Sequence, residues 1–464
     1  MKKIFSLLLV LTMLLTLVGC KKNDTTPDEG KQNNDSTTDI VDTNEDKGLE
    51  VLGNTLKYDP NVLVNDGKPI TIDFWTWDFV DIYQNLINEY QKIHPNVTIN
   101  LIETPWSDYW TKLPLSLNSK DSPALFAVHN SYHDNLINYM APYEMSLDEL
   151  RADFLNVDSH LIDGKIYYLD YAMMTANLYY NKDMWAAAGL TDDDFPETWD
   201  DLRDVAKKLT IKEGDSFKQA GFNYNGTFNQ MILGLNYQLG QNLFNEDGTA
   251  TINNDVMNNI VKYFIDLYKV DGVGSENFGT TAGESFGQGQ SAMVVMWGYY
   301  YNSLAENYPD IDFGVLEIPK FSNNEELYAY NRYNGESSLG ISKNVSTEAQ
   351  AVAQDFVRYS FANDEFIIDY SIRANCFPTK ISLGNNERIL SSPVLAALAP
   401  NIDRYVWPGT MPSTLEDNMK IAGENILFNG MSISDALAQA EATINSDLAN
   451  TDFLPVENMY KYAQ

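Results

Sequence analysis

Asn177-Leu178-Tyr179-Tyr180-Asn181-Lys182-Asp183-Met184-Trp185, and beyond Ala188-Gly189-Leu190 the run Pro196-Glu197-Thr198-Trp199-Asp200-Asp201-Leu202, decide how this chain folds. Asn177 to Tyr180 reads as a short strand and Lys182 to Ala188 as a helix. Thr198 caps a second helix over Trp199 to Leu209, because a hydroxyl at that position accepts from the open amide groups of the first turn. A strand feeding helices in this way is a unit of an α/β fold. The same alternation occurs upstream. Ile70, Ile72 and Phe74 have strand period; Ile82, Leu86 and Tyr90 recur at helical spacing until His94-Pro95; Val97, Ile99 and Leu101 alternate again. A helix is predicted over 106–118, interrupted near Pro114, and Ala124 to Val128 forms a short apolar strand. Strand, helix, strand, helix, strand implies a parallel sheet covered on both faces.

Working outward toward the C-terminus, a short strand is expected near Gly221 to Tyr224 and a helix over 228–239. A long helix follows over 255–270, with Ile260, Phe264, Leu267 and Tyr268 as its core stripe. Residues 271–290, rich in Gly, Ser and Thr, read as a loop. Ser291–Met296, Ile311–Ile318 and Ser338–Ser342 return to strand, and from Thr347 the pattern is helical through Leu448. The expected architecture is an α/β chain of two sheet-bearing lobes with a helical C-terminal region.

The chain has 464 residues, more than one hydrophobic core usually supports, which excludes a single small module. With 44% hydrophobic and 12% aromatic residues it fills substantial cores. Its 31 Lys and Arg against 65 Asp and Glu give a net charge of −34, a balance that repels nucleic acid and anionic membrane surfaces. Two cysteines, Cys20 and Cys376, provide neither a disulfide scaffold nor a zinc site.

Lys2 and Lys3 precede an apolar run from Ile4 to Val18, too short to span a bilayer comfortably, so residues 1–19 read as an export signal. Leu17-Val18-Gly19-Cys20 resembles the bacterial lipobox, making Cys20 the expected lipidation site and the protein a lipid-anchored, externally facing one. Residues 20–67 are polar, without an aromatic between Phe5 and Tyr58, and are expected to be a disordered tether.

Gly283-Glu284-Ser285-Phe286-Gly287 matches a nucleophile elbow, but a polar loop precedes it, a strand follows it, and the last of the four histidines is His160. Gly287-Gln288-Gly289-Gln290-Ser291-Ala292 imitates a dinucleotide fingerprint yet leads into a strand rather than a helix. His129 and His133 stand four apart without a third ligand. No catalytic residue, metal site or cofactor is therefore expected.

Aromatic and polar residues cluster where strands end: Trp75, Trp77 and Asp78; His129 and Asn130; Tyr224 and Thr227; Trp297 and Tyr299; and Tyr171 lies just before the second lobe. Ligands of open α/β sheets sit beyond the carboxyl ends of strands. Indole and phenol faces suit the C–H face of a sugar, while carboxylates, amides and imidazoles bond its hydroxyls.

The Leu178-to-Trp185 and Pro196-to-Leu202 motifs, with Gly289-Gln290-Ser291-Ala292-Met293-Val294, Leu339-Gly340-Ile341-Ser342-Lys343 and Phe377-Pro378-Thr379, resemble the extracellular solute-binding proteins of carbohydrate-uptake ABC transporters, the maltodextrin-binding-like class. The resemblance implies two interleaved lobes, 68–171 with 294–340 and 172–293 with 341–464, joined by three crossovers and closing on a sugar by hinge motion. It implies a monomer that delivers its ligand to a membrane permease. It places ligand contacts at Trp77, Asp78, His129, Asn130, Tyr171, Thr227, Tyr299 and Trp407. Met174 stands where that class carries an acidic contact, which argues against maltodextrin itself. A secreted glycoside hydrolase, a receptor for another solute such as a peptide, and an adhesive surface protein are the competing readings.

Overall fold

The computed structural model describes residues 48–321, 329–336, 338–409, 411–449, 451, 453 and 455–457. The expected signal segment, Cys20 and the part of the expected tether up to residue 47 lie outside them.

The first sheet is built as the alternation predicts. Ile70–Thr76 lies between Val97–Glu103 and Leu125–Val128 and pairs with both in parallel. Ser338–Ser342, distant in sequence, adds antiparallel to Leu125–Val128, and Met140–Ala141 completes the five-stranded order. Alternate residues of Ile70–Thr76 turn inward, so that Phe74 meets Tyr83 of the helix Val80–Ile93 at 4.9 Å and Phe356 of the helix Thr347–Ala362 at 6.4 Å. The helix Trp106–Leu117 runs unbroken through Pro114. The hydroxyl of Tyr109 fastens it to the sheet by donating to Ala127 O at 2.8 Å.

The second sheet has Ala176–Asn181 at its centre, antiparallel to Met293–Trp297 and Phe313–Leu316. Thr198 caps Trp199–Leu209 as expected, and Asp201 returns the bond to the Thr198 amide, closing a capping box.

Between the sheets lies a third, made of three short strands: Asn334–Glu336 and Phe377–Pro378 both pair antiparallel with Ala172–Met174. Each is the point at which the chain leaves the surroundings of one large sheet for those of the other. Gly335 is required here. A Cβ on it would lie 1.9 Å from Asp170 Oδ2, and that carboxylate is already engaged by His160 Nε2 at 3.0 Å and the Ser338 hydroxyl at 2.6 Å. Gly335→Ala is expected to cost about 2–3 kcal/mol, because it overpacks the strand and pushes apart the buried hydrogen bonds that His160 and Ser338 make to Asp170. Urea unfolding of the variant checks this; a loss under about 1 kcal/mol would show that the strand can shift.

Several boundaries differ from expectation: where a strand was expected at Gly221 to Tyr224 only an isolated bridge from Asn223 to Val294 forms, and Phe377–Pro378 is a strand within the stretch read as helical. Met293–Trp297 and Phe313–Leu316 pair with Ala176–Asn181, so most of 294–340 belongs with the second sheet, and Ser338–Ser342 alone returns to the first. The strand pattern was legible, but its partner is a tertiary choice. The body begins at Leu49 rather than residue 68. Leu56, Tyr58 and Val64 are buried, Asp153 accepts from the amides of Thr55 and Leu56, and Arg358 donates to Lys57 O at 2.7 Å. Three apolar residues dispersed among polar ones give no periodic signal. Within the predicted loop 271–290, Ala282–Gly287 is a helix capped by Thr281. Ser285 is buried in it, donating to Ala282 O and accepting from Asn223.

Candidate functional site

A cavity of about 600 Å³ opens where the crossover strands meet the ends of both large sheets. One wall is aromatic. Trp77 follows the strand Ile70–Thr76, and Trp106 opens the helix Trp106–Leu117 that follows Val97–Glu103. The two indoles meet edge to face at 5.3 Å, and Trp106 meets the His129 ring the same way at 5.2 Å. Behind them Trp110 stacks on Tyr132 at 4.0 Å and 4°, which fixes the wall. Trp106 is 43% exposed, the largest open ring face in this group.

Asp78 and Phe79 close the corner. Asp78 Oδ1 accepts from the Phe79 amide at 2.7 Å, while the Thr76 hydroxyl donates to Asp78 O at 2.9 Å. Phe79 holds φ at +55°, a left-handed conformation costly for an aromatic residue, at the N-cap of Val80–Ile93. This strained turn aims Asp78 into the cavity.

The rest of the lining mixes polar and apolar side chains. Met174 and Asn334 come from the crossover strands, Trp297 ends the strand Met293–Trp297, Tyr299 follows it, and Gln230 and Glu416 come from the helices Phe228–Ile232 and Ser413–Leu427. Arg332, 1% exposed, underlies them. Its Nε donates to Leu233 O at 2.9 Å and its two terminal nitrogens to Asn334 Oδ1 at 3.3 Å and Glu416 Oε1 at 3.1 Å. Its guanidinium lies 5.3 Å from the Trp297 ring centre.

Burial among the aromatic rings pushes the His129 imidazole down to about 4, against the smaller upward pull of Glu416 and Asp170. At neutral pH it is uncharged, offering one donor and one acceptor nitrogen. His133, 7% exposed and beside Tyr168, is pushed down to about 4 by burial and by His160. Because its ordinary value is 6.5, the unfolded chain takes up the proton first. The stability it contributes is present above pH 6.5 and lost as pH falls through 4, up to about 3 kcal/mol. Glu457 acts oppositely: burial pushes its carboxyl up to about 7, so its contribution is lost as pH rises through that value. Denaturant titrations at pH 7 and pH 4.5 isolate the histidine, and wild type is expected to lose about 2–3 kcal/mol more than His133→Gln between them. Equal losses would contradict the buried neutral imidazole.

Of the expected ligand residues, Trp77, Asp78, His129, Trp297 and Tyr299 line one cavity. The others lie elsewhere. Trp75 packs beneath the aromatic wall. Asn130 is 2% exposed beside His129, and both polar atoms of its amide lack a hydrogen-bond partner among the described residues. Tyr171 is fully buried, bonded to Ser360 at 2.6 Å and packed on Phe361 and Phe366. Tyr224 stacks on Tyr268 at 3.9 Å and donates to Phe264 O, and Thr227 bonds back to Tyr224 O. Trp407 stacks on His160 at 4.7 Å and lines a second cavity of about 400 Å³ together with Met173. Met173 and Met174 are neighbours on one strand and point to opposite faces, which places Trp407 behind the crossover strands rather than in the site.

Trp106 was missed although the strand-end rule that found Trp77 applies to it equally. Arg332, Asn334 and Glu416 carried no local signal, because they reach the cavity only through the crossovers and the packing of the C-terminal helices.

Residues 76–365 match the family model described as bacterial extracellular solute-binding protein. The chain belongs to that family of binding proteins. Among curated relatives, the arabinooligosaccharide-binding protein of Bacillus subtilis (strain 168) is 24% identical over 255 residues, 52% of this chain and 58% of that one. A binding protein of Brucella abortus (strain 2308) is 23% identical over 252 residues, 51% of this chain. The chain thus aligns with 58–59% of these relatives' own length. Among solved structures, the Listeria monocytogenes ABC substrate-binding protein in complex with cycloalternan superposes with a TM-score of 0.68 at 19% identity, over 82% of this chain and all of the other. The maltose/maltodextrin-binding domain from Bdellovibrio bacteriovorus bound to maltotriose gives 0.66 at 16% identity, with the same coverage. The fold is therefore the periplasmic-binding-protein-like α/β fold that the sequence led us to expect.

Proposed function

We propose that this protein is the sugar receptor of an ABC transporter, capturing a mono- or oligosaccharide and presenting it to a membrane permease. The observation that carries the reading is the cavity itself: the rings of Trp77 and Trp106 and the polar side chains of Gln230, Asn334 and Glu416 line one space of about 600 Å³, within the range of small-molecule sites. Ring stacking supplies apolar contact and the polar side chains supply hydroxyl partners. The relatives named for arabinooligosaccharide, cycloalternan and maltotriose support a carbohydrate over a peptide.

The three crossover strands form the hinge in this reading, dividing a first lobe of about 49–171 with 338–376 from a second of about 175–333 with 379–457. Closure follows from the ligand's greater affinity for the closed arrangement. Ligand contacts are assigned to Trp77, Asp78, Trp106, His129, Trp297, Tyr299, Asn334 and Glu416, with the unpartnered Asn130 amide behind His129 available to a water that bridges to the ligand. Cys20 carries the lipid anchor that holds the receptor at the outer face of the cell membrane. No helix among the described residues is long and apolar enough to cross a membrane.

A thermal-shift panel of mono- and oligosaccharides tests the reading. A cognate sugar at about 100 times its dissociation constant is expected to stabilise the protein by about 2.7 kcal/mol. A folded protein unmoved by the whole panel, or one stabilised by peptides instead, would overturn it. Turnover of chromogenic glycosides would return the hydrolase reading.

A further inference from the structure

Arg332 is the one cation among the described residues that line the cavity, and its positive charge is already committed. One terminal nitrogen holds Glu416, the other Asn334, and Nε holds a backbone carbonyl; the group is 1% exposed. Glu416 retains 31% exposure of its side chain and engages Arg332 through Oε1. Asp78, also in the lining, is exposed, with one carboxylate oxygen spent on the Phe79 amide. His129 is uncharged at neutral pH. Asp417 lies close enough that, with Glu416 and after burial, it raises the Tyr132 phenol above its ordinary value. The lining therefore presents carboxylate oxygens without a spare counter-ion.

We propose that Glu416, pinned by the buried Arg332, is a specificity-determining residue that selects neutral or amine-bearing saccharides and rejects acidic ones. The inference rests on the sugar reading and narrows it. Glu416 accepts from a sugar hydroxyl or ammonium through an oxygen that Arg332 leaves open. Bringing a uronate or phosphate into the same space sets like charges together in a water-poor cavity with no cation to receive the newcomer. Arg332 cannot turn toward such a ligand without abandoning Glu416, Asn334 and Leu233 O together.

Calorimetric titration of the full-length protein tests this with maltotriose, cellotriose and mannotriose, each beside the same compound with its primary hydroxyls oxidised to carboxylates, and with the glucosamine trimer. The neutral or amino form that binds is expected to do so at least tenfold more tightly than any oxidised form. Glu416→Gln, which keeps an oxygen for Arg332, is expected to weaken the neutral sugar about tenfold and to narrow the neutral-to-oxidised ratio, and Asp78→Asn to narrow it less. An oxidised sugar bound as tightly as its parent, or a ratio unmoved in Glu416→Gln, would overturn the inference while leaving the sugar reading in place. Folded wild-type protein that binds no saccharide of the thermal-shift panel, in any charge state, would overturn both. The wild-type comparison across charge states stands even where a variant fails to fold.

Discussion

Replacing Arg332 by Met is expected to lower the unfolding free energy by about 1–3 kcal/mol, the cost of leaving the Leu233 carbonyl without its donor and the partly exposed Glu416 without its counter-ion. The residue is held from four directions: Leu233 O, Asn334, Glu416 and the face of Trp297. Its removal orphans a carbonyl and a carboxylate at once, and the void falls beside the crossover strands. Lys is not expected to rescue, since an ammonium is a point charge without the planar fork that serves three acceptors in different directions. Arg332→Met with Glu416→Gln is expected to recover part of the loss, because the second change removes the stranded charge. Denaturant unfolding of the two single variants and the double variant measures the coupling. A single-variant cost below about 1 kcal/mol, with no coupling, would mean that Glu416 is held by something else.

The second large effect concerns binding and stability in opposite proportion at two tryptophans. Trp106→Ala is expected to cost about 2–4 kcal/mol of saccharide affinity, roughly 30- to 1,000-fold, as for an aromatic anchor at the centre of a contact. Its effect on stability is expected to be small, because 43% of the residue is already in water. Trp407→Ala is expected to do the reverse. The residue is 3% exposed and stacked on His160 near Tyr333, so truncation costs about 3–5 kcal/mol of stability and leaves the affinity of the folded fraction largely unchanged. Titration calorimetry and chemical denaturation of both variants separate the outcomes. A Trp106→Ala protein with wild-type affinity would show that the ring is only a lid on Trp77.

The α/β class was legible because period and caps are local. Ile70, Ile72 and Phe74 announce a strand, Ile82, Leu86 and Tyr90 a helix, and Thr198 with Asp201 the start of another, whatever the rest of the chain does. What strands pair with is not local. Nothing within Met293–Trp297 says that it lies against Ala176–Asn181, and nothing within Ser338–Ser342 says that it returns to Leu125–Val128. The site divides along the same line. Trp77, Asp78 and His129 stand directly after strands and were found by that position. Arg332 and Glu416 meet across 84 residues of chain, so only the folded molecule brings them together. Tyr224 shows the limit of the strand-end rule. An aromatic there points into the cavity or back into the core according to the packing of helices that the rule does not see.

Small-angle X-ray scattering of the protein alone and saturated with the saccharide giving the largest thermal shift tests most directly whether the two halves close on a sugar. A smaller radius of gyration and a shorter maximum dimension are expected with the saccharide, and no change in Trp106→Ala at the same concentration. Superimposable profiles with and without a sugar that calorimetry shows to be bound would contradict closure.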